Sequence, residues 1–211
     1  MAERERVAPP AAREAATTPG IQTPAIADPG PLGLAAFALT TFVLSMINSG
    51  LVSDTALPIV FGLALAYGGV GQLLAGMWEF RKGNTFGATA FSSFGAFWIS
   101  YWAFVTFFAK DVPASEVGAA VGLYLIAWGI FTAYMFVASL RTTAAIATVF
   151  ILLALTFLIL GYGNAHGSTG IIKFGGYVGL LTAIAAWYAS FAGVTNSTFG
   201  RVVLPVKPLA R

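Results

Sequence analysis

The sequence contains no cysteine, so disulfides and thiolate metal sites are excluded. Charge is scarce as well. Charged residues make up only 9% of the chain, where a soluble domain carries about 25%. The formal charge of +3 is small, and the basic residues sit at the edges of apolar blocks. That argues against nucleic-acid binding, which needs a clustered basic face. The acidic residues are Glu3, Glu5, Glu14, Asp28, Asp54, Glu79, Asp111 and Glu116, and none falls in the middle of an apolar block. Intramembrane carboxylates mark proton relays and cation pathways. Their absence argues against a proton pump and against a cation channel with an acidic ring. The apolar blocks carry no nucleophile–base pair and no cluster of metal ligands. The chain therefore reads as no enzyme, with no metal and no cofactor. The first 27 residues lack the apolar core of a signal peptide. Rich in Ala, Pro, Glu and Arg, Met1–Ala27 reads as a disordered cytoplasmic tail.

What the sequence has instead is hydrophobicity, 58% of its residues. It is organised in six blocks, approximately Leu32–Leu51, Pro58–Trp78, Gly87–Phe108, Val117–Leu140, Ala144–Tyr162 and Ile171–Val194. Each is close to the roughly 20 residues that cross a bilayer as a helix. None alternates polar and apolar, as the strands of a membrane barrel do. The expected fold is an all-α membrane protein, with six transmembrane helices over residues 28–200 and a cytoplasmic tail over 201–211. Short connections make consecutive helices antiparallel neighbours. Arg4, Arg6, Arg13, Arg81, Lys82, Arg141, Arg201, Lys207 and Arg211 then share one side, and only Lys110 and Lys173 lie opposite. By the positive-inside rule both termini are cytoplasmic, and the membrane is the cytoplasmic one. Gly62-Leu63 precedes Arg81 by 19 residues, Gly122-Leu123 precedes Arg141 by the same distance, and Gly179-Leu180 recurs in the last block. This pattern suggests three helical hairpins as repeats.

Uncharged polar residues fall on particular helix faces. Phe37, Thr41, Ser45 and Asn48 form one line along the first span. Ala64, Gly68, Gln72 and Gly76 form a line on the second, with glycine one turn above and below Gln72. Thr85, Thr89, Ser93, Ala96 and Ser100 make a small-polar stripe on the third, with Phe94 at its border, and Leu153, Thr156, Leu160 and Asn164 share a face on the fifth. Such faces can build a narrow pathway, in which polar groups replace the water a carboxylate sheds and an apolar ring closes by dewetting. They also serve ordinary packing, where small residues bring helices together and hydroxyls bond their own backbone. Gln72 and Asn48 are the exceptions, because an unpaired amide is costly in lipid. Glu79, beside Arg81 and Lys82, reads as one half of an interfacial ion pair. The single His166 reads as a solvated loop residue, and Gly68-Gly69-Val70-Gly71 lies inside an apolar span rather than after a strand, so it is no phosphate loop.

The segment Asp28-Pro29-Gly30-Pro31-Leu32-Gly33-Leu34 resembles the Asn-Pro-Ala-Pro-Leu-Gly-Leu signature of the acetate uptake transporters, the SatP-type acetate/succinate permeases. The likeness continues through Tyr67-Gly68-Gly69, Gln72, Glu79, Lys82-Gly83-Asn84-Thr85-Phe86-Gly87, Phe97-Trp98, Trp128-Gly129, Phe131-Thr132 and Gly163-Asn164 to Leu204-Pro205. It implies a homo-hexamer in the lipid bilayer, with a separate pathway for acetate, and sometimes succinate, through each subunit. The family's narrowest point, a ring of Phe, Tyr and Leu, maps onto Phe37, Phe94 and Leu153. The expected pathway residues are Gln72, Asn48, Thr41, Ser45, Ser93, Thr132 and Trp98, and the signature positions are Asp28, Pro29, Pro31 and Gly33. Two departures stand out. Asp28 replaces the signature Asn and keeps its capacity to cap a helix. Phe94 replaces the ring Tyr, which makes the constriction more apolar and disfavours succinate more than acetate. The competing functions are a urea, amide or ammonia channel and a membrane sensor without transport.

Overall fold

The computed structural model describes residues 26–209, so most of the tail expected over Met1–Ala27 lies outside the described residues. Six long apolar helices follow: α1 (Gly30–Asn48), α2 (Asp54–Lys82), α3 (Thr85–Asp111), α4 (Val117–Ser139), α5 (Ala144–Ala165) and α6 (Thr169–Phe199). Each is long enough to span the hydrocarbon, and the protein is a multi-pass membrane protein. Each boundary falls within a few residues of the hydropathy blocks, except that α6 extends further at its C-terminal end.

The starts and stops follow local chemistry. Pro29 and Pro31 open α1, where a missing N–H costs nothing. Asn84 caps α3 by accepting from Gly87 N at 3.1 Å, and Thr143 caps α5 by accepting from Ile146 N at 3.2 Å. Gly83 and Gly200 end α2 and α6 in the left-handed conformation, which glycine adopts at no steric cost.

The helices close into a ring. α1 packs on α6, α6 on α5 and α5 on α4, while α2 packs on both α1 and α3. The ring closes between α3 and α4 through aromatic side chains, with Phe94 and Phe97 against Trp128 at ring-centroid distances of 6.1 and 5.3 Å. Elsewhere backbones approach closely, because small residues face each other. A side chain at Gly122 would strike Gly161 O at 2.8 Å, and one at Gly76 would strike the backbone of Ser92. The first helix of each hairpin, α1, α3 or α5, turns large apolar side chains to the middle. Phe37, Phe94, Phe150 and Leu153 are all buried there.

One feature of α2 is invisible in hydropathy. Residues Ala66–Gly71 form a π turn inside the helix. Three of these six residues are glycine, and Gly68 lies directly against the Thr40 side chain. In a straight α-helix positions four apart drift by about 40° per step. The wider π turn rotates less per residue and offsets that drift. Ala64, Gly68, Gln72 and Gly76 consequently all stay on the buried side.

After Gly200 the chain folds back as a strap. Asn196 Oδ1 accepts from Val203 N and Leu204 N at 2.7 and 2.9 Å. Ala144 N donates to Lys207 O at 2.8 Å and Leu209 N to Thr142 O at 2.9 Å, which ties the strap to the start of α5. The described ends of the chain thus lie on one face of the bundle, with the end of α2 that bears Arg81 and the α4–α5 connection that bears Arg141.

Candidate functional site

Three cavities run in series through the ring. The widest, about 350 Å³, opens on the face that carries the strap. Its wall includes Asp28, Glu79, Lys82, Asn84, Asn196 and Val206. Leu34, Ala90, Phe91 and Phe150 line both this vestibule and a second cavity of only 20 Å³. The second cavity is bounded by Phe37, Phe94, Leu153 and Gln72. Phe37 and Leu153 in turn line a third space of 40 Å³, with Thr41, Ser45, Asn48, Trp98 and Thr156. A water needs at least about 10–15 Å³ measured this way, so the two inner spaces hold a few waters at most. Acetate, with four heavy atoms, does not pass through this closed conformation.

The residues mapped to the ring therefore meet in space. Phe37 and Phe94 lie 6.0 Å apart by ring centroids, and with Leu153 they are 3–4% exposed. Phe94 is wedged among Phe37, Trp128, Phe131, Phe150 and Phe157. Gln72 is 1% exposed, and its amide oxygen has no hydrogen-bond partner among the described residues. The hydroxyl of Thr41 and the indole N–H of Trp98 are likewise buried without partners beside the third cavity. Buried polar atoms are normally paired. Here three unpaired ones border the two narrowest spaces.

Other expected pathway residues lie elsewhere. Ser93 is half-buried and lines none of these cavities, because the small-polar stripe of α3 turns outward: Thr85, Ala96 and Ser100 on the same stripe are exposed. Thr132 is fully buried but donates to Trp128 O of its own helix at 2.7 Å. Its hydroxyl is already spent on the backbone. Asn164, on the shared face of α5, donates to Leu160 O at 2.8 Å.

The signature segment forms the vestibule rim. Asp28 does not occupy the cap position, which falls to Pro29. From one residue further out, Asp28 Oδ1 accepts from Gly30 N at 3.0 Å and from Lys82 Nζ at 2.8 Å. Pro31 O accepts from the Ser190 hydroxyl at 2.7 Å, which joins α1 to α6. Gly33 leaves room for the Phe91 ring, whose carbons lie 2.6–2.7 Å from where a β-carbon would stand. The ion pair expected for Glu79 is not formed, since Lys82 turns to Asp28 instead. Glu79 accepts from Asn84 Nδ2 at 2.9 Å and is 1% exposed.

Residues 14–211 match the model of the GPR1/FUN34/yaaH family. The chain belongs to this family. Within it, the chain is 46% identical over 195 residues to Acetate permease A of Emericella nidulans, an alignment covering 85% of this chain and 65% of that protein. It is 44% identical over 176 residues to Ammonia transport outward protein 2 of Saccharomyces cerevisiae, covering 81% of this chain and 62% of that protein. It is 38% identical over 181 residues to the Succinate-acetate/proton symporter SatP of Escherichia coli, covering 86% of this chain and 95% of the relative. The chain thus spans about two thirds of the length of the fungal relatives and nearly all of the bacterial one. Among solved structures, the bacterial acetate channel SatP superposes with a TM-score of 0.81 at 38% identity, covering 86% of this chain and 99% of that one.

For this family member, sequence reasoning missed Phe91 and Phe150, which wall the passage between vestibule and constriction. A signal existed. Each lies three residues before a ring position, so it shares that residue's helix face.

Proposed function

We propose that the protein passes small monocarboxylates, acetate foremost, across the cytoplasmic membrane through this row of cavities. The observation that carries the reading is Gln72, a buried amide with an unpaired oxygen beside an otherwise apolar constriction. The unpaired oxygen accepts and so suits the protonated acid, while the amide N–H groups are donors that suit a carboxylate that has shed water. The names of the bacterial relative and of Acetate permease A support the same reading.

Ammonia is the second reading, favoured by the name of one yeast relative and by the two carboxylates in the vestibule. Purified protein in liposomes separates the two. Labelled acetate should enter at a rate well above that of protein-free vesicles, with urea and ammonium near background. Ammonium flux without acetate flux would select the second reading. No flux of any of these solutes would leave a sensor.

We further infer that Phe37, Phe94 and Leu153 are the gate, with Gln72, Thr41, Ser45, Asn48 and Trp98 along the path. Both chain ends face the cytoplasm in this reading, on the strength of the basic asymmetry. The chain has no native cysteine, so Pro10→Cys is a clean reporter. It should resist an impermeant thiol reagent in intact cells and react after lysis, and labelling in intact cells would reverse the orientation. The assembly is a homo-hexamer, as the resemblance implies, and the mass of the purified complex checks it.

A further inference from the structure

The vestibule contains a carboxylate that the pathway does not yet use. Glu79 lies in the last turn of α2 and is 1% exposed. Asn84 Nδ2 donates to its Oε2 at 2.9 Å, and Asn84 Oδ1 accepts from Gly87 N at 3.1 Å, so the carboxylate is tied to the first turn of α3. Glycines make the space for it. A β-carbon at Gly87 would stand 2.8 Å from Glu79 Cδ, and one at Gly30 would stand 3.6 Å from Oε1. The N-terminal ends of α1 and α3 thus both close on this group, and helix N-termini favour negative charge.

The surroundings set the charge balance. The charged groups facing Glu79 across the vestibule are Asp28, ahead of α1, and Lys82, on α2. These two are paired at 2.8 Å and neutralise each other. The residues just ahead of α3 and α5, with α6 and the strap, contribute Asn84, Thr142, Thr143, Asn196 and Val206, all uncharged. An ionised Glu79 is therefore the net charge of the cavity. A second carboxylate entering would meet it across apolar walls, where two adjacent carboxylates do not both stay ionised.

We propose that Glu79 is the proton-sharing site that admits a carboxylate to the constriction. A proton from the bulk on the vestibule side binds Glu79. The neutral carboxyl then donates a hydrogen bond to the incoming carboxylate, and one proton is held between the two groups. Only O–H bonds form and break. The pair carries one negative charge, the same as ionised Glu79 alone, so admission adds no net charge to a site built for one anion. This rests on the monocarboxylate reading.

Glu79→Gln tests the idea, because glutamine can still accept from Asn84 but never ionises. Labelled acetate flux of variant and wild type is measured in liposomes from about pH 5 to about pH 8, well above the ordinary glutamate range at the upper end. Their ratio at each pH cancels the titration of acetic acid itself, and protein-free vesicles subtract leakage. The ratio should be lowest at acid pH and rise at least about tenfold towards alkaline pH, where wild-type Glu79 ionises and the variant does not. A flat ratio, or a fully assembled variant with no flux at any pH, overturns the proposal. Asn84→Ala decides the matter if Glu79→Gln does not assemble. It removes a hydrogen bond to the ionised form, so the fall in flux should move to higher pH, and an unmoved fall also overturns the proposal. Wild-type protein that moves no acetate defeats the functional reading itself, and the role of Glu79 with it. Normal acetate flux with a flat ratio defeats only the role of Glu79.

Discussion

Gln72→Leu should lower acetate flux by roughly 30-fold, because a hydrogen bond to a charged partner in a dry site is worth about 2 kcal/mol. The same substitution should leave thermal stability unchanged or slightly raised. Its amide oxygen is buried without a partner among the described residues, so leucine relieves a desolvation cost instead of breaking a bond. Size is nearly conserved, which limits repacking. Gly68 and Gly76, one turn to either side, already sit against Thr40 and Ser92, so α2 is held in place without the amide. The two readouts together discriminate. A packing residue would lose stability along with flux, and a residue of no consequence would lose neither. Flux within twofold of wild type, at equal protein content in the vesicles, would remove Gln72 from the pathway.

The same residue marks how far the sequence could be read. Six spans and their order were visible in hydropathy, because a bilayer demands about 20 apolar residues per helix and leaves little freedom. Gln72 was visible because an amide in an apolar run has to be justified energetically. Ser93 lines none of the three cavities. A serine's hydroxyl can bond its own helix, so a stripe of small hydroxyl residues does not say which way it faces. Thr132 likewise lines none of the cavities and donates its hydroxyl to Trp128 O. Glu79 was assigned to the wrong partner because three charged side chains crowd the end of α2. Lys82 pairs with none of them but with Asp28, which is 54 positions away in sequence. The π turn at Ala66–Gly71 was hidden altogether. Its glycines are as common in membrane helix packing as in backbone irregularity, and only the tertiary contact with Thr40 distinguishes the two.

Leu153→Ala should raise flux, with a larger gain for succinate than for acetate. The side chain is 3% exposed and lines both of the narrowest spaces, so removing three of its carbons joins them. A cavity of 20 Å³ admits about one water, and an anion must lose nearly all its hydration to pass. That cost grows with charge, so a wider, wetter opening helps the dianion more. Leu153 is a better site for this test than Phe94. Phe94 touches five other aromatic rings at centroid distances of 5.4–6.3 Å, and cutting it to alanine would cost about 3–5 kcal/mol of packing. The milder change there is Phe94→Tyr, which keeps the ring and adds a hydroxyl. It should raise succinate relative to acetate without widening the opening, because the new donor replaces part of the lost hydration. The two variants thus separate width from polarity. Leu153→Ala itself costs about 2–5 kcal/mol by the usual core measure, so rates are compared per folded assembly. If Leu153→Ala leaves both the rate and the acetate-to-succinate ratio unchanged, the narrowest point of the closed conformation is not the barrier to transport. The barrier would then lie at the vestibule, where Glu79 and the helix ends meet the incoming anion.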